Sequence, residues 1–133
     1  MPIEYKDTKE FSASQLQRLF LSVNWELGNY PEKLEKAMRN STHVISDWDQ
    51  DRLVGLVRAL DDDQTVAFLH YLLVDPEYQG MHIADQMMKQ ILGFFDELLY
   101  IEVIPSDPSI KSFYTRYGFC EYANYSATVR KQF

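Results

Sequence analysis

Apolar and polar positions in this chain follow two periods, and the switch between them marks its most informative segment. Ala67-Phe68-Leu69-His70-Tyr71-Leu72-Leu73-Val74 is almost wholly apolar, as expected of a central strand covered on both faces. From Ile83 onward the apolar residues fall at 83, 84, 87, 88, 91, 92 and 95, which is helical spacing. Between them runs a tight turn, Asp75-Pro76-Glu77-Tyr78-Gln79-Gly80-Met81-His82. A helix that opens there gathers free backbone N–H groups and the positive end of its dipole at one point. Such a point binds phosphate without a basic side chain.

The remaining elements are read in the same way. Ile3 to Lys6 suits a short opening strand. Ser12-x-x-Gln15 is a capping-box pattern, followed by Leu16, Leu19, Phe20 and Val23 on one helical face. Pro31 suits the first turn of a second helix carrying Leu34, Ala37 and Met38. Trp25, Leu27, Gly28 and Tyr30 lie between these two helices. Thr42 to Ser46 reads as a strand, Asp47 to Asp51 as a polar turn, and Leu53 to Leu60 as the hairpin partner. Asp61 to Gln64 is a second, solvated turn. Tyr100 to Ile104 reads as a further strand. Asp107-Pro108 then caps a helix whose apolar stripe is Ile110, Phe113, Tyr114 and Tyr117, and Gly118 ends it. Phe119 to Tyr122 and Ala127 to Arg130 suit two closing antiparallel strands joined at Asn124. The order implies one domain over residues 1–133, a mixed α/β or α+β sandwich.

Three stretches bear a resemblance to a known family. Gln79-Gly80-Met81-His82-Ile83-Ala84 resembles the Gln/Arg-x-x-Gly-x-Gly/Ala signature of the GNAT superfamily of acyl-CoA N-acyltransferases, with His82 where the family usually has glycine. Phe113-Tyr114-Thr115-Arg116-Tyr117-Gly118-Phe119 is similar to the family's Tyr-x-Lys/Arg-x-Gly-Phe segment. His70-x-Leu72-x-Val74 resembles the fourth strand of arylalkylamine N-acetyltransferases, with Phe68 in place of a first histidine. The element order is that of the GNAT fold from end to end, a mostly antiparallel central sheet flanked by about four helices.

The resemblance implies acetyl-CoA as cosubstrate and transfer of its acetyl group to a primary amine by direct attack. Backbone groups of Leu72, Leu73 and Val74 would pair with the pantetheine arm. Amides from Gln79, Gly80, Met81, His82, Ile83 and Ala84 would hold the pyrophosphate. Asp107 stands where the family often has an asparagine that makes a secondary coenzyme contact. The Tyr114 hydroxyl would point at the sulfur and protonate the leaving thiolate. On spacing alone, Tyr114 reads first as a core aromatic, an order that the resemblance reverses. Alternation places His70 on the face of Leu72 and Val74. It is the first candidate to take the amine's proton, against the alternative of a hydrogen-bonded core histidine. Glu102, on the neighbouring strand, is the competing base. Trp25 and Tyr30 are placed to enclose an apolar part of the acceptor or to pack in the core. Two other classes stay open: a non-catalytic acyl-CoA-binding sensor, and an enzyme that acetylates a protein lysine or amino terminus.

Composition narrows this list. The chain has 133 residues, 46% hydrophobic and 25% charged, the profile of an ordinary globular domain. No apolar run reaches membrane-span length and Met1 to Asp7 lacks a signal-peptide core, so a cytoplasmic location without membrane partners is expected. Cys120 is the sole cysteine, so neither an intrachain disulfide nor a cysteine zinc site can form. It reads as an inert thiol on a strand. His43, His70 and His82 lack metal-ligand spacing, and no metal is expected. No phosphate-binding Gly-x-x-x-x-Gly-Lys loop, dinucleotide fingerprint or serine nucleophile elbow is present. A net charge of −7 disfavours nucleic acid and suits a cationic partner such as a small-molecule amine. A monomer or a homodimer is expected.

Overall fold

In the computed structural model, which describes residues 2–106 and 110–133, the expected capping box opens the first helix. Ser12 Oγ accepts from the Gln15 N–H and the Gln15 side chain accepts from the Ser12 N–H, which starts α1 at Ala13–Ser22. Pro31 begins α2 (Pro31–Arg39), with a 3₁₀ turn at Glu26–Asn29 between the two. The strands are β1 (Glu4–Lys6), β2 (His43–Asp49), β3 (Arg52–Asp61), β4 (Val66–Val74) and β5 (Tyr100–Val103). They form one sheet in the order β1-β2-β3-β4-β5. The first four strands run antiparallel, and β5 joins β4 in parallel. Helix α3 (Ile83–Leu92) follows a 3₁₀ turn at Pro76–Tyr78, and α4 (Lys111–Thr115) follows β5.

Each face of the sheet carries its own apolar core. On one side α1 and α2 bury Leu16, Leu19, Phe20, Leu34 and Met38 against Val44, Trp48, Leu53, Leu56 and Leu73. On the other, Ile83, Met87, Met88 and Ile91 of α3 and Tyr114 of α4 pack on Val54, Val57, Ala67 and Leu69. The period-3.6 stripe of α3 therefore meets the period-2 face of the sheet, as its spacing requires.

Three expectations are corrected. Asp47 to Asp49 do not form a turn: β2 continues to Asp49 through a register shift at Asp47/Trp48. Trp48 is buried, stacked on Phe11, and its burial holds the strand in place. Phe119–Tyr122 and Ala127–Arg130 are not strands; residues 119–133 adopt no regular structure, and those beyond Phe119 are exposed. They carry strand-type residues, but no strand among the described residues pairs with them. Alternation along β4 also fails at Tyr71, which has φ +64° and lets Tyr71 and Leu72 together face Val57. Gly118, at φ +90°, takes the left-handed conformation expected of the residue that ends a helix. Asp107 and Pro108 lie outside the described residues.

Candidate active site

The site begins where two parallel strands part. Pairing of β4 with β5 runs from Val66 opposite Tyr100 to Leu69 opposite Val103 and stops there. β4 continues to Val74 with β3 on its other side only. The edge of Leu72, Leu73 and Val74 thus has no strand partner on the β5 side among the described residues. The bulge at Tyr71 helps β4 to bend away from β5 at this point. The result is a gap lined by backbone donors and acceptors, which an extended amide-bearing chain can pair with as a strand would.

β4 leads directly to the turn. Asp75, buried at its base, accepts from Arg18 at 2.9 Å, Arg52 at 3.0 Å and the Glu77 N–H at 2.9 Å. Burial alone would raise this carboxyl, but these hydrogen bonds outweigh it and hold the pKa below the usual range. The anchor fixes the direction of the following loop. Gln79 folds back, its Nε2 donating to the Val74 carbonyl at 3.1 Å, so its side chain secures the turn. Gly80 sits at φ +85° with open space where a Cβ would stand. His82 occupies the left-handed region as the N-cap of α3, at φ 62° and ψ 21°, and its side chain makes no cap. Histidine tolerates this conformation better than most residues but at a cost of about 1–2 kcal/mol. The first helical bond is donated by Gln86 to the His82 carbonyl. Among the described residues, the N–H groups of 80–85 have no acceptor other than solvent. This cluster at the positive end of α3 has the chemistry of an anion cradle.

α4 is tied to the same turn. Tyr117 Oη donates to Asp85 Oδ1, and Arg116 stands 3.3 Å from that oxygen. His82 Nδ1 lies 3.6 Å from the second oxygen. The hydrogen bond from Tyr117, aided by Arg116, holds the Asp85 carboxyl below its usual pKa despite partial burial. Tyr114, one turn earlier, is different: it is buried, and its hydroxyl has no hydrogen-bond partner among the described residues. Burial pushes its pKa up to about 12, so it keeps its proton at neutral pH. A protonated, unengaged phenol beside an apolar wall is suited to donate a proton.

The sheet separates the two proposed proton-handling groups. Leu72 and Val74 pack on the α3–α4 side with Tyr114, whereas Tyr71 and Leu73 pack on the α1–α2 side. His70 belongs to the latter side, against the simple alternation, because the bulge intervenes. It stacks on Tyr71 with ring centres 3.8 Å apart and accepts through Nδ1 from Arg58 Nη2 at 2.8 Å. Burial, followed by the Arg58 charge, pushes the His70 pKa down to about 4. Arg58 is itself buried, held over the Tyr71 ring at 4.3 Å and within 3.3 Å of Ser41 Oγ. Trp25 joins this group through Phe20 and Tyr71, with ring centres 5.8 and 6.4 Å away. Tyr30 does not: it is exposed and meets the ring of Phe133 edge-on at 5.5 Å. Glu102, opposite Phe68 on β5, is half-buried and accepts from Tyr122 Oη at 2.9 Å.

Sequence reasoning missed Arg58, Asp75 and Asp85. Asp75 had a legible signal, an Asp-Pro pair directly after an apolar strand. Arg58 had none beyond its place as a charge inside an apolar run. Asp47, assigned to a turn, is fully buried beside Gly55 and Ile83, with neither carboxylate oxygen hydrogen-bonded. Burial pushes its pKa up to about 8. Among the described residues no cluster of metal-ligating side chains occurs, and no helix is long and apolar enough to cross a membrane.

Comparison with known proteins agrees with this fold. The sequence profile of the acetyltransferase (GNAT) family matches residues 11–119. An uncharacterized ycf52-like N-acetyltransferase of Prochlorococcus marinus is 26% identical over 120 residues, covering 86% of this chain and 66% of that protein. The chain therefore spans just under two thirds of that relative's length. A GNAT-family acetyltransferase of known structure from Streptococcus pneumoniae is 27% identical, with a TM-score of 0.80 over 99% of this chain and 98% of that one. A Staphylococcus aureus protein of unknown function, described as a probable acetyltransferase, superposes with a TM-score of 0.87 over 99% of this chain and 100% of that one. At 20% identity it shows a shared fold.

Proposed function

The chain belongs to the acetyltransferase (GNAT) family, and we propose on that footing that it transfers an acetyl group from acetyl-CoA to the primary amine of a small molecule. One observation carries this reading. Tyr114 shares an apolar cluster with Leu72 and Val74 of the unpaired β4 stretch and with Ile83 at the start of α3, where the N–H groups of residues 80–85 have no acceptor among the described residues. Acetyl-CoA supplies an activated acetyl thioester. Leu72, Leu73 and Val74 would pair with its pantetheine amides, and one of their N–H groups would polarise the thioester carbonyl. The turn from Gln79 to Ala84 would hold the pyrophosphate, chiefly through the amides from Gly80 on. Tyr114 Oη gives its proton to the sulfur as the C–S bond breaks and regains one from solvent.

The acceptor would arrive from the opposite face, where Trp25 and Tyr71 offer aromatic walls. Tyr30 is proposed at the rim of this entrance. The amine must lose a proton to attack. Because Arg58 occupies the His70 lone pair, we assign this role to Glu102, one of whose oxygens faces Tyr122 while the other is uncommitted among the described hydrogen bonds. His70 becomes a positioning residue that orders Tyr71 and Arg58. The negative net charge of the chain favours a cationic acceptor.

The test is a screen of free amines and of lysine and amino-terminal peptides, followed by free-thiol release from acetyl-CoA. Turnover with small amines is expected. Turnover with peptides alone would transfer the chain to the protein-modifying class, and binding without any turnover would make it a sensor.

A further inference from the structure

Arg58 is a buried cation for which the described residues supply no anion. It is 8% exposed, yet it pairs with no carboxylate among them. Arg18, Arg39, Arg52 and Arg116 each have a carboxylate partner, although their side chains are all at least 39% exposed. The groups placed against the Arg58 guanidinium are Ser41 Oγ, the His70 imidazole, and the ring and hydroxyl of Tyr71. A guanidinium carries five N–H groups. Ser41, His70 and the Tyr71 hydroxyl account for three at most, and Nε is buried without a partner. Folded proteins rarely bury a charge without pairing it.

The rings around this cation are not sealed in the core. Phe68, His70 and Tyr71 of β4 and Trp25, just before the first 3₁₀ turn, are all half-buried. They form a continuous row, with ring centres 5.3 Å apart for Phe68 and His70, 3.8 Å for His70 and Tyr71, and 6.4 Å for Tyr71 and Trp25. The row runs beside the stretch of β4 where the acceptor is proposed to enter. Arg58 stands opposite His70 in the β3–β4 register. Leu72 and Val74, the proposed holders of the thioester arm, lie two and four residues further along β4. At about 3.3 Å per residue, these positions are about 7–13 Å from the register of Arg58 along the strand.

We infer that Arg58 receives a carboxylate of the acceptor, so that the preferred acceptors carry an amine and a carboxylate at opposite ends of an apolar or aromatic body. This rests on the acetyl-transfer reading above and names the substrate class of the same site. The amine attacks the thioester, the body lies along the aromatic row, and the carboxylate takes the N–H groups of Arg58 that the protein leaves free. An amine and a carboxylate on one carbon span too little to reach both ends. The buried charge thus finds its counter-ion in the substrate, and the acidic surface still attracts the ammonium end.

A matched pair of acceptors tests this: 4-(aminomethyl)benzoate, and 4-methylbenzylamine, which has the same body without the carboxylate. With acetyl-CoA at saturation, thiol release should give a kcat/KM for the acid roughly 10- to 100-fold above that for the plain amine, the range for hydrogen bonds to a charged group. Arg58→Gln, whose amide can still donate to His70, should abolish this preference, and Arg58→Lys, which keeps the charge, should restore part of it. The preference is a ratio within each protein, so a general loss of activity cancels. In the parent, 4-methylbenzoate, a carboxylate without an amine, should inhibit in competition with the amine. A parent that uses the two amines equally, a lack of such inhibition, or an acid preference that survives Arg58→Gln overturns the inference and leaves acetyl transfer standing. Absence of thiol release with every amine overturns the acetyl-transfer reading, and this inference with it.

Discussion

Arg58 Nη2 donates to Nδ1 of His70 at 2.8 Å, and this bond sets the chemistry of the proposed acceptor side. A guanidinium only donates, so the neutral imidazole must carry its proton on Nε2 and has no lone pair left to accept another. With its pKa pushed down to about 4, His70 stays neutral across the physiological range. NMR titration of His70 should therefore give a midpoint near 4 and no inflection near 6.5. His70→Ala should lower kcat/KM by a similar factor at every pH, as a lost positioning contact does. Glu102→Gln should lower it most near neutral pH, with partial recovery as the pH rises and free amine accumulates. The opposite pattern would return the base role to His70.

The proposed phosphate turn makes its own demand on ligands. Acetyl-CoA should raise the melting temperature in proportion to occupancy, and acetyl-pantetheine, which lacks the pyrophosphate, should do so far less. Ala84→Leu should weaken coenzyme binding by crowding the helix N-terminus. His82→Gly should raise stability by about 1 kcal/mol by relieving the left-handed conformation. Coenzyme affinity should be kept or improved, since the His82 side chain is 83% exposed and turned towards Asp85. A clear loss of affinity would mean that the imidazole itself contacts phosphate.

Tyr114 lies in α4 and Tyr117 just beyond its end, and the two differ in commitment. Tyr117→Phe breaks the hydrogen bond to Asp85 and frees α4 from the first turn of α3. The expected result is a lower melting temperature and weaker acetyl-CoA binding, with kcat at saturating coenzyme nearly unchanged. A large fall in kcat alone would show the proton donor to be Tyr117.

Asp47 provides a pH signature of stability. Its pKa is about 8 in the fold and near 4 in the unfolded chain. Between those values the folded state holds a proton that the unfolded state has lost, so stability falls as pH rises through this window. The slope is at most about 1.4 kcal/mol per pH unit. Asp47→Asn cannot ionise, so its melting temperature relative to the parent should climb from pH 5 to pH 8. A constant difference across that range would mean that Asp47 titrates normally.

Much of this fold was legible because its signals are local. The Ser12–Gln15 box, Pro31, Gly118 and the stripe from Ile83 to Ile91 each express a backbone requirement of a few neighbouring residues. The turn that leads into α3 was legible for the same reason, as was Tyr114 on its helix stripe. What escaped depends on distant partners. The Tyr71 bulge exists because β4 is pinned to β3 on both sides of it, and it moved His70 to the other face. The engagement of His70 required Arg58 from β3, and the burial of Asp47 required Gly55 and α3. Polar residues at such positions look like solvent-facing ones until a neighbouring element covers them.

Proton donation by the Tyr114 hydroxyl is the central proposed step, and Tyr114→Phe tests it with the least disturbance. The variant keeps the buried ring, so the fold and the acetyl-CoA dissociation constant should be close to those of the parent. With an amine identified by the screen and acetyl-CoA at saturation, kcat should fall by roughly 10²- to 10⁴-fold, the range for losing a general acid. The loss should shrink with acyl donors whose leaving thiol is more acidic. Full retention of kcat in Tyr114→Phe, with coenzyme binding intact, would contradict the account.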